Sequence, residues 1–596
     1  MSESLLAFAP PLPRSGQARA YWRAPASSTA LACAIAAAAQ QHNGPLLTIA
    51  RDNHAAQQLE TDLRILLASA PTLPVLGFPD WETLAYDRFS PHPEIVSQRL
   101  ATLARLPGLT RGIVIVPAAT LMQRLAPRSH VLGNRFDLKL GQQLDMDAEK
   151  RRLETAGYRN VPQVFDPGDF AVRGGLLDVY PMGADTPFRI ELLDDEIDSI
   201  RIFDPDSQRS LEKISAIALL PGREVPMDDA HVQRALDALR ERFDIDTRRS
   251  ALVQDLKAGL APAGIEYYLP LFFANDRNHD SSTASLFDYL PGAMPVLCEG
   301  ALEASEQAWQ HIEHRYDQLR HDIERPLLPP GELWLAPGAL RERLNQGNRI
   351  DICNTQHPRH AEAHTLPVQP APALPLTQKD HAPADALRSF LTSYPGRVLI
   401  AADSAGRREA LREVLEAAGM PLAGVESWSA FARHPGASRD DGSRLAITVA
   451  AFDDGFALDA PPLCVLTERQ LFPERASQPR RRKRAGREPE AIIRDLGELS
   501  LGAPIVHEDH GVGRYRGLIA MAVGGMPGEF LDIEYAKGDR LYVPVAQLDR
   551  ISRYSGANPD TAPLHNLGGE QWAKAKKKAA EKVRDVAAEL LEIQAK

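Results

Sequence analysis

Alternating apolar and polar residues near the C-terminal end predict two β-strands joined by a tight turn. The first strand has an apolar and an acidic side, formed by Leu531, Ile533 and Tyr535 and by Asp532 and Glu534. Residues 536–539 supply the turn, where Gly538 can adopt a positive φ. Pro544 cannot donate to a ladder, so the returning strand is expected at a sheet edge. Because an edge strand can pair with another protein, the module is predicted to be a docking surface.

The first part of the chain has the pattern of an α/β domain. Residues 44–50 and 112–117 are short apolar runs of the kind that forms buried parallel strands. Helical patterns at 54–67 and 97–106 separate the two runs. We therefore expect an α/β domain over residues 1–133.

A change of pattern marks the next segment, residues 134–222. It contains successive strand patterns with tight turns, at residues 172–181, 188–193 and 198–204. These predict a small α+β domain built on an antiparallel sheet.

Helical patterns return over residues 223–360, with a strand expected at 294–298 and a long helix at 301–325. The proline-rich tract 364–375 is predicted to be a linker. A further small α/β domain is expected over 383–470, with strands at 397–401 and 462–466 and a helix at 406–418. Three segments complete the chain: a basic flexible linker at 471–497, the β module at 498–555, and a linker with a basic helix at 556–596.

Composition restricts the class of protein. At 596 residues the chain is too long for one core, and 44% hydrophobic with 25% charged residues is typical of soluble globular domains. No apolar run approaches the roughly 18 residues of a membrane helix, which favours a cytoplasmic protein with no membrane partner. The four cysteines show no metal spacing. A net charge of −11 restricts any nucleic-acid contact to a local patch.

The sequence offers no catalytic constellation. A phosphate-binding Walker A loop needs Gly-x-x-x-x-Gly-Lys-Ser/Thr, and no such string occurs. The loop after the first predicted strand, residues 50–54, has neither glycine nor lysine. His507 and His510 lie in a strand-and-turn region without the spacing of a zinc helix. We therefore predict no catalytic residue, no cofactor and no metal site in this chain.

Several unusual strings occur in an order that resembles a known family. The β module reads His-Gly-Val-Gly-Arg-Tyr at 510–515, Gly-Glu-Phe-Leu at 528–531 and Leu-Tyr-Val-Pro-Val at 541–545. It resembles the RNA-polymerase-interacting domain of the bacterial transcription-repair coupling factors (Mfd) and the related CarD-type module. Asp-Trp-Glu-Thr-Leu at 80–84 and the strand at 172–181 are similar to Mfd and, more distantly, to the excision-repair helicase UvrB.

The resemblance implies a multidomain α/β and α+β fold. A UvrB-like α/β domain is split into halves at 1–133 and 223–360, and the inserted domain at 134–222 binds UvrA. A small α/β domain and a Tudor- or CarD-like β-barrel follow, and a terminal linker helix leads to a motor outside this sequence. That motor would hold ATP and magnesium and make most of the DNA contacts. The chain is expected to be a monomeric adaptor that joins the RNA polymerase β subunit to UvrA.

Residues are assigned to the UvrA surface through the resemblance. Arg173 and Arg189 occupy family motif positions, and their guanidinium groups are expected to pair with carboxylates on UvrA. Glu191 and Leu193 share the strand face of Arg189. The family usually has phenylalanine at position 193, so leucine is a weaker apolar anchor. On residue type alone, both arginines would be ordinary surface residues.

For the polymerase surface we assign Met521, Arg514, Arg540 and Leu531. Met521 follows an apolar run before the Gly524-Gly525 turn, and it is either an exposed contact or a core residue. The two arginines either flank the contact or are solvated charges. An alternative function is that of a UvrB-like helicase fragment with residual nucleotide binding, which would require a phosphate loop in the first α/β domain.

Overall fold

The computed structural model describes residues 8–14, 17–25, 27–243, 248–273, 283–376, 384–433, 444–472, 504–507, 510–523, 526–544 and 551–553, with Leu6, Gly502 and Leu564 as single positions. The chain divides into two compact units, Met1–Pro370 with Phe456–Pro461, and Ala371–Gly455 with Pro462–Lys596. The predicted basic linker and terminal helix lie mostly outside the described residues, as does the Gly524-Gly525 turn.

The strands are β1 (Arg19–Arg23), β2 (Pro45–Ala50), β3 (Val75–Gly77), β4 (Gly112–Pro117), β5 (Phe136–Lys139), β6 (Arg159–Asn160), β7 (Asp169–Arg173), β8 (Leu176–Val179), β9 (Phe188–Leu193), β10 (Glu196–Phe203), β11 (Ser210–Ile214), β12 (Ala216–Leu219), β13 (Met294–Leu297), β14 (Arg349–Cys353), β15 (Val368–Pro370), β16 (Arg397–Ala402), β17 (Ala423–Gly424), β18 (Leu445–Val449), β19 (Phe456–Asp459), β20 (Pro462–Thr467), β21 (Pro504–His507), β22 (Gly511–Val523), β23 (Met526–Glu534), β24 (Arg540–Pro544) and β25 (Ile551–Arg553).

The helices are α1 (Ser28–Gln41), α2 (Asn53–Leu66), α3 (Pro93–Arg105), α4 (Ala118–Leu121), α5 (Arg128–Gly133), α6 (Met146–Thr155), α7 (Asp229–Arg242), α8 (Ala251–Lys257), α9 (Leu269–Phe272), α10 (Leu286–Tyr289), α11 (Ala301–Leu319), α12 (Pro330–Leu333), α13 (Pro337–Asn345), α14 (Asp385–Ser393), α15 (Ala405–Ala417), α16 (Trp428–Arg433) and α17 (Glu468–Leu471). In the part of the chain that the structure covers, no helix is long and apolar enough to span a membrane.

A parallel sheet organises the first unit, with the strand order β1-β14-β13-β2-β4-β3. Every residue of β2 and β4 is buried, which explains why both segments read as continuous apolar runs. Strands from both ends of the unit contribute to this one sheet, because β13 and β14 lie between β1 and β2. The mixed α/β architecture with several sheets that the sequence predicted is therefore confirmed, whereas the exact domain boundaries stay predictions.

A second, mainly antiparallel sheet has the order β11-β10-β9-β8-β7-β6, and β5 pairs separately with β12. The segment 172–181, expected to be one strand, is instead divided between β7 and β8. The turn between them uses Gly174, whose φ of +62° is accessible to glycine at little cost. One face of this sheet packs into the main core through Leu177, Ile190 and Ile200. The opposite face covers a small cluster that contains Ala171, Tyr180 and Phe203.

Two further expectations differ from the structure. The proline-rich tract 364–375 is not wholly a linker, since Val368–Pro370 forms β15 and pairs antiparallel with β19. The long helix expected at 301–325 ends at Leu319. Beyond it, the Asp322 carboxylate accepts hydrogen bonds from the backbone amides of Glu324 and Arg325, at 3.0 and 3.2 Å. Such a side-chain acceptor stabilises a turn in place of another helical turn.

The second unit contains a parallel arrangement in which β16 lies between β18 and β20, with β17 beyond β18. Its other sheet is antiparallel, with the order β24-β23-β22-β21-β25. Both β24 and β25 are terminal in that order, so the described residues form a five-stranded sheet with β24 at an edge, as Pro544 predicted. In the turn before β24, Gly538 has a φ of +83°, as expected, and Lys537 also has a positive φ of +67°.

Candidate docking surfaces on two antiparallel sheets

The six-stranded sheet β6–β11 lies in the segment expected to be inserted and is called the inserted sheet below. On its outer face, which is the face away from the main core, Arg189 forms a cross-strand pair with Asp178. Arg189 Nε and Nη2 donate to the two carboxylate oxygens of Asp178, at 2.7 and 2.9 Å. Arg189 Nη1 donates to the carbonyl of Gln208 at 3.1 Å, and the guanidinium lies 4.8 Å from the ring centroid of Phe203. Every guanidinium nitrogen of Arg189 therefore already has a partner within this domain.

This geometry corrects the expectation that the Arg189 fork is free for a carboxylate on another protein. Its side chain is 15% exposed, and that of Asp178 is 2% exposed. The hydrogen bonds to Asp178 raise the pKa of Arg189, with burial opposing the rise. Arg189 thus holds β9 against β8 as part of an ion pair that is largely shielded from solvent. The sequence could not reveal this pairing, because it depends on the register that places Asp178 opposite Arg189.

The other three residues assigned to this surface differ in solvent exposure and in the hydrogen bonds that they already form. Leu193, at the end of β9, is 69% exposed. The Glu191 carboxylate accepts a hydrogen bond from Ser199 Oγ at 2.8 Å and is half-buried. Arg173 is exposed, although one of its guanidinium nitrogens donates to the Pro162 carbonyl. Leu193 is therefore the most accessible apolar side chain among the four assigned residues.

In the β module, Leu531 is fully buried, and its assignment as a polymerase contact is a correction. It packs with Ile505, Ile533 and Val543 in the core of the sheet. The alternation along β23 already placed Leu531 on the apolar side, and the tertiary structure turns that side inward. Met521 lies in β22 opposite Gly528, while its side chain is outside the described part of the structure.

Charged residues occupy the outer face of the same sheet. Arg540 pairs with Asp532, with an Nη1–Oδ2 distance of 2.7 Å, and its side chain stays 51% exposed. Arg516, which the sequence analysis did not select, pairs with Glu534 at 2.6 Å. This hydrogen bond from Arg516 lowers the pKa of Glu534. Arg514 donates to the Gly502 carbonyl at 3.0 Å.

Tyr542 is a second residue that the sequence analysis missed. It pairs with Asp532 across the β23–β24 ladder and is 40% exposed on the edge strand. Strict alternation from the buried Val543 would have placed Tyr542 on the outer face, so the signal was present in the pattern. The outer face of β24 thus presents an aromatic side chain beside the cation of Arg540.

The loop after β2 is the place where a nucleotide-binding domain of this kind would hold phosphate. Here Asp52 caps α2, and its carboxylate accepts the amide of Ala55 at 2.8 Å. Arg51 donates to the same carboxylate at 3.0 Å. An acid therefore occupies the position at the helix N-terminus that would attract a phosphate. Among the described residues, no group of three or more His, Cys, Asp or Glu side chains is placed to hold a metal ion.

Comparison with known proteins places both sheets in recognised domains. Residues 136–224 match the UvrB interaction domain, residues 390–471 match the MFD D3 domain, and residues 499–555 match the CarD-like/TRCF RID domain. The chain is 42% identical over 570 residues to the transcription-repair-coupling factor of Escherichia coli (strain K12), a match that covers 95% of this chain.

The chain is similar, over nearly all of its own length, to the transcription-repair-coupling factors. Two further members support this, the factor of Haemophilus influenzae at 39% identity over 95% of this chain and that of Bacillus subtilis at 27% over 96%. Each match covers 48% of the relative, so the chain spans about half the length of these coupling factors.

Both candidate surfaces fall inside the matched domains of this chain. The UvrB interaction domain contains all four residues that we assigned to the UvrA surface, and the TRCF RID domain contains the whole β21–β25 sheet. The family resemblance on which the sequence analysis relied is therefore confirmed. The roles of the individual residues stay predictions.

Proposed function

We propose that this chain is the adaptor region of a transcription-repair-coupling factor. It binds the β subunit of RNA polymerase through the β21–β25 module and recruits UvrA through the inserted sheet. The observation that supports this most strongly is that a UvrB interaction domain and a CarD-like/TRCF RID domain occur in one chain. A pull-down tests the proposal directly: this chain should capture purified RNA polymerase in one experiment and purified UvrA in another.

On the polymerase side, the edge position of β24 supports strand pairing with the partner. An edge strand offers one row of backbone donors and acceptors to another chain. The core of the module is formed by Leu531, Ile533 and Val543, so it remains intact when an outer strand is added. Tyr542 and Arg540 lie beside that edge, and tyrosine and arginine are the residue types that contribute most at protein interfaces.

On the UvrA side, Leu193 is the exposed apolar anchor, and the charges of Arg189 and Glu191 lie behind it. Because Asp178 neutralises Arg189, the pair stabilises the shape of the surface more than it attracts a distant carboxylate. Arg173 supplies an exposed cation at the end of β7. The contact with UvrA would therefore be centred on the side of the sheet where β7 ends at Arg173 and β9 ends at Leu193.

Leu193→Glu is expected to weaken UvrA binding by at least about tenfold, because a charge would replace the apolar contact at the interface. Leu193 is 69% exposed, so folding should be unaffected. Leu260→Glu is the matched control, since Leu260 is 60% exposed and lies outside the inserted sheet. Calorimetric titration with UvrA would measure both. Equal affinity for wild type and Leu193→Glu would remove Leu193 from the surface.

Tyr542→Glu is expected to reduce polymerase binding by at least about tenfold, because an acid would replace the exposed aromatic ring on the edge strand. Lys537→Gln, in the exposed turn before β24, lowers the net charge by the same one unit and serves as the control. Binding of the whole chain to polymerase can be followed by biolayer interferometry. If both variants lose affinity equally, the effect is one of general charge and the edge-strand assignment is wrong.

The alternative function, a helicase fragment with residual nucleotide binding, is not favoured by the loop after β2, where Asp52 already occupies the helix N-terminus. The ATP- and magnesium-dependent translocation implied by the family is therefore not assigned to this loop.

A further inference from the structure

A recessed cavity of about 470 Å³ lies between α5, α6 and residues 221–228, which precede α7. Its volume falls within the roughly 300–1,000 Å³ that is usual for small-molecule sites. Four arginines line it, namely Arg135, Arg151, Arg152 and Arg223. Asp228 is the one acid among the described lining residues. The cavity lies apart from the four residues that we assigned to the UvrA surface.

Asp228 forms no ion pair with these four arginines. Its carboxylate accepts Nδ1 of His231 at 2.7 Å and the backbone amide of the same residue at 3.2 Å, because Asp228 is the N-cap of α7. The hydrogen bonds from His231 lower the pKa of Asp228, with burial opposing the shift. The acid thus belongs to the helix cap, and the cavity keeps an excess of positive charge.

Arg223 is the central feature of the cavity. Its side chain is half-buried, and its guanidinium forms no ion pair and no hydrogen bond with any residue that the structure describes. Burial lowers the pKa of Arg223 and Arg159 lowers it further, while the charge of Glu266 opposes the shift. The guanidinium nitrogens of Arg223 remain accessible to solvent, so an anion that enters the cavity can approach them and replace that solvent.

The surrounding residues hold Arg223 in place. A side chain at position 157 would come within 3.1 Å of Arg223 Cγ, and Gly157 leaves that space for the arginine stem. His130 Nε2 lies 3.3 Å from the Arg223 carbonyl, while the Asn134 amide lies 3.1 Å from His130 Nδ1. Burial lowers the pKa of His130, which favours the neutral ring that this pair of contacts requires. The backbone of Arg223 is therefore fixed before any ligand arrives.

The other three arginines differ in the contacts that their guanidinium groups make with neighbouring side chains. Arg152 lies 3.6 Å from the ring centroid of Phe136 and 3.7 Å from a carboxylate oxygen of Glu149. Arg135 forms a long ion pair with Asp137, with an Nε–Oδ1 distance of 3.6 Å. Arg151 is exposed and, among the described residues, has no ion-pair partner. Arg151 and Arg223 are thus two cations at one cavity that can accept an anion without breaking an existing bond.

We propose that this cavity binds a small polyphosphate anion, with Arg223 and Arg151 donating to its phosphate oxygens. Guanidinium groups bind phosphate through paired hydrogen bonds, and two of them at one cavity suit a ligand with more than one phosphate. A recess of this size admits a phosphate chain more readily than the backbone of a duplex. The net charge of −11 also opposes broad contact with nucleic acid. Free inorganic polyphosphate and the phosphate chain of a nucleotide share this chemistry.

Sodium tripolyphosphate, titrated calorimetrically into the whole chain, is expected to bind at one site. Arg223→Gln and Arg151→Gln should each weaken that binding by at least about tenfold, since each removes a charge-assisted contact. Arg151 is exposed, so its variant tests the site even if Arg223→Gln impairs folding. Arg240→Gln is the control, because Arg240 is a 43% exposed arginine outside the cavity. The control should bind like the wild type.

A parallel titration with a nucleoside triphosphate distinguishes the source of the phosphate. Equal affinity for the two probes supports recognition of the phosphate chain alone, and tighter binding of the nucleotide, lost in Arg151→Gln, supports a nucleotide as the ligand. Absence of binding at millimolar tripolyphosphate would refute the proposal, as would binding that neither variant weakens. Binding of a single-stranded oligonucleotide that depends on Arg151, without binding of tripolyphosphate, would also overturn it.

Discussion

Arg99→Met is expected to destabilise the first unit by about 3–5 kcal/mol, because it leaves a buried carboxylate without its cation. Arg99 Nε and Nη2 donate to the two carboxylate oxygens of Glu224, at 2.6 and 3.2 Å, and the two side chains are 0% and 4% exposed. Arg99 also lies over the rings of Phe78 and Trp81, at 4.2 and 5.0 Å. The pair joins α3 to the segment before α7, which is distant in sequence.

Hydrogen exchange of the amides in α3 and β3 would measure this change locally, since a chain of several domains does not unfold in one step. Arg64→Met is the control, because Arg64 pairs with Glu60 on the surface and such pairs contribute at most about 1 kcal/mol. Removing both charges, as in Arg99→Met with Glu224→Leu, should recover part of the loss. A loss below about 1 kcal/mol for Arg99→Met alone would show that Glu224 is solvated when unpaired.

Leu531→Ala is expected to destabilise the β module by about 2–5 kcal/mol, because it removes a large side chain from a close-packed core. Leu531 is fully buried between Ile505, Ile533 and Val543. Exchange rates of the β23 amides in the whole chain would report the change. The apparent affinity for polymerase should fall only in proportion to the fraction of the module that is unfolded.

Tyr542→Ala provides the comparison for this variant, since Tyr542 is 40% exposed on the neighbouring strand. The opening free energy calculated from the exchange rates should change by no more than about 0.5 kcal/mol, as for most surface substitutions. If Leu531→Ala kept normal exchange protection in β23 and yet lost polymerase binding, Leu531 would be a contact residue, as its sequence position first indicated.

Two of the differences at the candidate sites, at Leu531 and at Tyr542, have a common origin. Leu531 was assigned as a contact and is in the core, whereas Tyr542 was overlooked and lies on the outer face. A period of two shows which residues share a face, but it does not show which face becomes the core. In the inserted sheet, the same limit concealed the partner of Arg189, because Asp178 lies on a different strand and meets it only through register.

Local sequence patterns predicted the positions of strands and helices better than they predicted which face of a strand is buried. The apolar runs at β2 and β4 and the helical periods at α2 and α3 were all found close to the expected positions. The division of residues 172–181 was missed because the Gly174 turn follows from a positive φ that other residues seldom adopt. The paired glycines at 174 and 175 were the available signal.

Sequence alone was sufficient for the family, the α/β and antiparallel character of the segments, and the edge position of β24. These depend on ordered strings, on periodicity and on Pro544, all of which are properties of neighbouring residues. Tertiary structure decided which charges are free. Arg189 and Arg99 are bound within the first unit, whereas Arg223 lines a cavity and forms no ion pair with any residue that the structure describes. The physical reason is that pairing and burial depend on residues far apart in the chain, which only the folded structure brings within hydrogen-bonding distance.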